Sequence, residues 1–287
     1  MEKENDKIKY LKIFFGALIV ADIFLWQIIL FPANASDLEL YFLDIGQGDS
    51  SLAILPGGIK VLIDGGPMNG RAQQELEKIL PLQDRYIDLI MVSHPQLDHF
   101  GGLLNIMRNY RVGAVLMSEF GSENQSWKEF EKLRIENKIP KVVIAQGDRI
   151  VYGDSQFIIL WPGRTGQIKD LNEVAIGTIL ESNGMRAFFG GDMGMRQEED
   201  IARLYDVNVD ILKVSHHGSK FSSNSEFLKE ASPLFSIIEV GKNSYGHPTK
   251  EALARLANVN SQIYRTDLNG LVKLVVDDGK LKIYTSK

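Results

Sequence analysis

The stretch MVSHPQLDHFGGL, residues 91–103, decides how this chain is read. An apolar run, Asp88–Ser93, reads as a strand that delivers His94 into a tight turn. Asp98 and His99 follow in the pattern His-x-x-x-Asp-His, and Gly101-Gly102 open an amphipathic stretch, Gly101–Tyr110, that reads as a helix. Imidazole and carboxylate side chains in one loop are the ligands that zinc, manganese or iron take. The paired glycines allow close backbone approach at the helix start.

Working outward, the remaining histidines obey the same rule. The chain has five histidines, and each sits at a strand end in a loop marked by Gly or Pro. His216 and His217 follow a strand ending at Val214 in KVSHHGS, and His247 lies beyond a strand ending at Val240 in NSYGHP. Such loops are where α/β enzymes assemble sites from distant pieces of chain. Asp192, in FFGGDMG, also ends a strand. Its carboxylate suits bridging two metals or completing one site; the alternative is an N-cap for the helix starting at Met195. Asp64, in VLIDGGP, reads as a hydrogen-bonding partner of loop backbone or of a ligand rather than as a ligand itself.

The 287 residues contain no cysteine, so thiolate metal sites and disulfides are excluded and any metal rests on His, Asp or Glu. A hydrophobic content of 44% with 24% charged residues is that of a globular chain. The net charge of −5 argues against a strong unspecific grip on polyanions, although a local basic groove is compatible with it. Residues 1–35 differ from the rest. Lys7, Lys9 and Lys12 precede an apolar run from Ile13 to Pro32 in which Asp22 is the only charge. About 20 apolar residues cross a bilayer core, and the basic flank places the N-terminus in the cytoplasm and residues 36–287 outside it. The expectation is a single-pass anchor through residues 13–32. Cleavage near Ala35, after Ala33-Asn34-Ala35, and a secreted domain form the alternative.

From residue 36 onward, strand-like runs alternate with amphipathic stretches at Arg71–Leu80, Glu123–Asn137, Met195–Tyr205, Asn224–Ala231 and Lys250–Asn258. Hairpin-like pairs stand at both ends and near residues 156–190. This order supports an α/β domain, 36–287, with helices on both sides of its strands.

The segments LDIGQGDSSL (43–52), VLIDGG (61–66), MVSHPQLDHFGGL (91–103), FFGGDM (188–193), LKVSHHGS (212–219), NSYGHP (243–248) and YRTDLNG (264–270) together resemble the metallo-β-lactamase superfamily. More narrowly, they resemble the C-terminal hydrolase domain of the ComEC-type competence proteins. The resemblance implies a four-layer α-β-β-α sandwich and a hydrolase that uses metal-activated water on a phosphodiester, of nuclease type and linked to DNA uptake. It implies metal ligation by His94, Asp98, His99, Asp192 and His217. Asp98 would also hold the nucleophile, and His216 and His247 would act as proton donors or phosphate contacts. Ser219 and Asn243 are expected as hydrogen-bond donors to substrate. Single-stranded DNA and a separate transport channel are the expected partners. A small-molecule or cell-wall phosphodiesterase, another ester or amide hydrolase, and a binding module without turnover are the rival readings.

One position departs from the pattern. The superfamily reads His-x-His-x-Asp-His, and Gln96 stands at its third position. An amide oxygen is a poor transition-metal ligand. The expectation is therefore one tightly bound divalent metal, Zn or Mn, held by Asp98, His99, Asp192 and His217. A second ion would be held weakly near His94.

Overall fold

The computed structural model describes residues 10–23, 37–163, 170–277 and 280–287. The chain divides into two units, 1–36 and 37–287. In the first, residues 10–23 are helical. Among the described residues no helix is long and apolar enough to cross a membrane; the expected span of 13–32 extends beyond the described residues at 24–36.

The second unit holds two sheets. The first contains β1 (Leu38–Phe42), β2 (Ser51–Leu55), β3 (Ile59–Ile63), β4 (Tyr86–Val92), β5 (Arg111–Met117) and β6 (Lys141–Val143), completed by the hairpin β14 (Val272–Asp277) and β15 (Lys280–Thr285). The second contains β7 (Arg149–Tyr152), β8 (Ser155–Trp161), β9 (Gly177–Ser182), β10 (Met185–Phe189), β11 (Ile211–Lys213), β12 (Phe235–Ile238) and β13 (Gln262–Arg265). Their orders are β15-β14-β1-β2-β3-β4-β5-β6 and β13-β12-β11-β10-β9-β8-β7.

Side-chain alternation builds four layers from these strands. On β4, Met91 packs between the sheets while Ile90 and Val92 face the helices Arg71–Ile79, Leu103–Asn109 and Gln125–Glu136. On β10, Ala187 and Phe189 point between the sheets and Phe188 faces the helices Met195–Leu204 and Ser225–Ala231. The central layer includes Phe42 and Phe189, stacked with ring centroids 6.0 Å apart. Strands buried on both faces must be apolar throughout, which is why LIMV and AFF read as unbroken runs.

Each sheet is part antiparallel and part parallel. β3-β4-β5-β6 run parallel in the first sheet and β10-β11-β12-β13 in the second. Ligand sites of open α/β sheets lie beyond the C-terminal ends of such strands. Asp64 follows β3, His94 follows β4, Asp192 follows β10, and His216 and His217 follow β11. Phe189, Lys213 and Ile237 lie in register, so the exits of β10, β11 and β12 are side by side.

Two local expectations change. The helix expected at Gly101–Tyr110 begins earlier, as a helical turn at Leu97–Phe100 followed by a helix at Leu103–Asn109. Asp98 and His99 therefore sit within the turn, because the amides of His99 and Phe100 donate to the Gln96 carbonyl at 3.0 Å. The glycines have a steric reason: a Cβ on Gly102 would lie 2.0 Å from the Gly65 carbonyl oxygen. The strand Arg149–Tyr152 adds to those the sequence predicts; it is an edge strand with three of four residues exposed, and its apolar run, Ile150–Tyr152, is only three residues long.

Candidate metal centre

Three strand ends bring Asp98, His99, Asp192 and His217 together with ligand atoms all within 4.8 Å of one another. His99 Nε2 lies 3.3 Å from Asp192 Oδ1. His217 Nε2 is 3.7 Å from the same oxygen and 3.6 Å from Asp98 Oδ2. The Nε2 atoms of His94, His99 and His217 and Oδ1 of Asp192 are buried without a hydrogen-bond partner. Buried polar atoms are ordinarily satisfied. The three orphans on His99, Asp192 and His217 converge from distant segments and fit a cation, and the cluster's donor set of two imidazoles and two carboxylates suits a divalent metal.

Asp192 is not the helix cap that the sequence left open, because Gly194 occupies that position. His94 packs beside His99, ring centroids 4.1 Å apart, but stands outside the four-residue cluster. Gln96 turns its amide nitrogen to Asn172 Oδ1 and forms a hydrogen bond there. An amide pair thus stands at position 96, where the superfamily pattern calls for an imidazole.

The ligands are held from behind. Asp64 accepts from the Ser93 amide at 2.8 Å, from the Ser93 hydroxyl at 2.6 Å, and faces His99 Nδ1 at 2.9 Å. Its backbone is in the left-handed region, φ 60°. Asp49 faces His217 Nδ1 at 3.1 Å and His99 Nδ1 at 3.7 Å, and it pairs with the buried ammonium of Lys213. The Glu239 carbonyl oxygen lies 2.9 Å from His217 Nδ1. A carbonyl only accepts, so Nδ1 carries a proton and Nε2 faces the carboxylates of Asp98 and Asp192. Asp49, Lys213 and Glu239 were missed as supporting residues. The signal lay in charged residues at strand edges: Asp49 just before the strand run at 51–55, Lys213 within ILKV and Glu239 within SIIEV.

The His-His loop is clamped. His216 and His217 both have left-handed backbone, φ 53° and 52°, a conformation that costs about 1–3 kcal/mol per residue and persists only where surroundings impose it. Arg255 donates to the carbonyls of Lys220, Ser222 and Ser223 at 2.8–3.0 Å. The buried carboxylate of Glu198 accepts from the amides of Ser223 and Asn224. The loop thus presents His217 inward and leaves His216 at the rim, its Nε2 3.8 Å from Asp192 Oδ2. His247 packs against His216, ring centroids 5.5 Å apart, and outside the four-residue cluster. Ser219 is buried and accepts from the Phe221 amide. Asn243, expected as a substrate donor, lies in the loop that carries His247. Its amide group donates to the carbonyls of Gly241 and His247, and its oxygen accepts from the amides of Tyr245 and His247. It organises the loop that carries His247.

Carboxylates set the protonation of this site. Burial opposes charge on His217, but Asp192 and Asp49 outweigh it and push the ring up to about 10. Burial likewise opposes charge on His99, and Asp192, Asp49 and Asp64 raise it well above the ordinary imidazole range. Burial and the neighbouring His99 push His94 down to about 4. The metal-free site therefore carries protons on two ligand nitrogens at neutral pH. Metal binding must release them, and affinity should rise with pH below about 10. Calorimetry in buffers of different ionisation enthalpy checks this: about two protons released per ion at pH 7 is expected, and none contradicts it. Replacing Asp49→Asn should weaken metal binding by about 10–100-fold, the usual effect of losing a partner behind a ligand. An unchanged dissociation constant for the variant would show that Asp49 does not orient the imidazoles.

The four-layer sandwich and a His/Asp cluster at its strand ends define a metal-dependent hydrolase of the metallo-β-lactamase fold. The chain belongs to the beta-lactamase superfamily: the model of the beta-lactamase superfamily domain matches residues 60–243. It is similar to ComE operon protein 3 of Bacillus subtilis, 28% identical over 87% of this chain and 34% of the relative. It is also similar to Recombination protein 2 of Haemophilus influenzae, 26% identical over 99% of this chain and 34% of the relative. The chain thus spans about a third of the length of these curated relatives. Among solved structures, the metallo-beta-lactamase fold protein YhfI from Bacillus subtilis shares the fold, with a TM-score of 0.57 and 12% identity over 83% of this chain and 99% of that one.

Proposed function

We propose that this chain hydrolyses phosphodiester bonds, in the manner of a nuclease, with Zn or Mn at the Asp98/His99/Asp192/His217 cluster. The observation that carries the reading is the cluster's surroundings. His216, whose Nε2 is 3.8 Å from Asp192, lines a neighbouring cleft together with His247, Lys220 and Lys250, a cationic lining on a chain of net charge −5. Such a local reversal of sign favours an anionic substrate. We place this reaction in DNA uptake, alongside a separate transport channel, as the resemblance of its motifs to the competence proteins implies.

A divalent ion bound in this cluster would acidify water and polarise a phosphoryl oxygen. The chain's own residues do the rest. Asp98, whose carboxyl lies below its ordinary range because His217 and His99 outweigh its burial, accepts a hydrogen bond from the attacking water, orients it and takes up the proton it loses on attack. As the new P–O bond forms and the old one breaks, His216 or His247 donates a ring proton to the leaving oxygen. His216 is suited to this by its place at the rim, next to Asp192 but open to solvent.

The test is hydrolysis by the purified chain, loaded with Mn or Zn, of DNA, RNA and bis(p-nitrophenyl) phosphate. Turnover that chelator abolishes is expected; none with any of the three overturns the proposal. The amide pair of Gln96 and Asn172 favours a second reading, a binding module without turnover, and full metal loading with no hydrolysis would establish it. We further propose that residues 13–32 attach the domain to a membrane on its outer side. A reporter fused after Lys287 should be active only outside the cytoplasm, and activity confined to the cytoplasm contradicts this.

A further inference from the structure

The cleft beside the metal cluster has a volume of about 560 Å³. Its lining pairs cations with aromatic rings. Phe221 and Tyr245 are 67% and 73% exposed, and both line it together with Lys220 and Lys250. Large rings left open beside a site forgo the free energy of burial unless something covers them. Neither ring is on a loose tip. The Phe221 carbonyl accepts from the Met195 amide at 2.9 Å, and its amide donates to Ser219 Oγ. Arg255 holds the carbonyls on either side of it, at Lys220 and Ser222. The Tyr245 amide donates to Asn243 Oδ1 at 3.1 Å, and the ring stacks on His247 with centroids 5.8 Å apart and planes 29° apart. Anchored backbone under exposed rings makes a preorganised platform, which saves ordering entropy on binding.

The charges fit the same ligand. Lys220 Nζ lies 5.0 Å over the Phe221 ring. Among the described residues, neither Lys220 nor Lys250 has a carboxylate within ion-pair distance. Glu251 is the acidic residue in the lining, so the two ammonium groups leave the cleft cationic. A ligand with flat rings and phosphates in alternation answers both features; an alkyl or polyol phosphate answers only the second. In a duplex the base faces are already stacked, so a platform of this kind reads unpaired strands.

We propose that this cleft is a base-stacking subsite, in which Phe221 and Tyr245 receive unpaired nucleobases next to the scissile bond and Lys220 and Lys250 hold the neighbouring phosphates. The proposal rests on the phosphodiester reading and narrows its substrate to a single-stranded nucleic acid.

The test measures binding without turnover. Fluorescence anisotropy with the full chain in EDTA compares a labelled dT12 with a 12-residue abasic deoxyribose phosphate of equal charge. Wild type should bind dT12 about 10-fold or more tightly than the abasic strand, in line with base–aromatic stacking. Phe221→Ala with Tyr245→Ala should bring the two strands to equal affinity. Lys220→Ala with Lys250→Ala should instead weaken both strands alike and flatten the salt dependence. Equal wild-type affinity for the two strands, binding to neither, or an aromatic variant that weakens both alike overturns the proposal. These outcomes separate it from the hydrolysis reading. Turnover of DNA without a base-dependent difference removes the subsite and leaves the enzyme; a base-dependent difference without turnover leaves the subsite and removes the reaction.

Discussion

Replacing Asp98→Ala should abolish tight metal binding and, with it, hydrolysis. Asp98 is one of four side chains whose donor atoms converge within 4.8 Å, and it supplies one of the two negative charges there. Losing a partner behind a ligand typically costs 10–100-fold in affinity, so losing a charged ligand itself should cost more than about 100-fold. The loop should survive the change. What the neighbouring segment uses is the Asp98 carbonyl, which accepts from the Asp49 amide at 3.2 Å, and alanine keeps it. The expected signature is a folded protein with an unchanged circular dichroism spectrum, no ion retained after dialysis, and no phosphodiester turnover. One ion held as tightly as in wild type would show that the cluster is not the metal centre.

The second large effect concerns the amide pair. Wild type should retain one ion tightly, because Gln96 is hydrogen-bonded to Asn172 and offers His94 no imidazole companion. Gln96→His restores an imidazole at that place and should raise the metal content towards two per chain, with turnover unchanged or higher. Gln96→His with Asn172→His supplies two imidazoles beside His94 and should bring the second ion close to the first in affinity. Gln96→Ala should change little. Elemental analysis after dialysis reads all three variants, and two tightly held ions in wild type would refute this account of Gln96.

Much of the centre was legible from residue types and order. Strand-to-loop transitions carrying His94, Asp98, His99, Asp192 and His217 are local patterns, visible because apolar runs end where polar ligands begin. The α/β alternation was legible for the same reason: strands buried on two faces must be apolar along their whole length. The edge strand at 149–152 was not, since exposed edges relax that demand.

Only the tertiary structure decided which charges stand behind the ligands. Asp49 and Lys213 are 164 residues apart and meet beneath His217, a contact that no local pattern encodes. The amide group of Asn243 is committed to its own loop, which residue type alone does not show. The stacking of Tyr245 on His247 and the opening of the cleft at Phe221 likewise depend on two loops from different strands meeting at one sheet end. The sequence by itself determined the chemistry available at each strand end, because ligand type and apolar patterning are properties of short segments. Tertiary structure decided which groups became ligand, support or rim, because those roles depend on distances set by packing two sheets together.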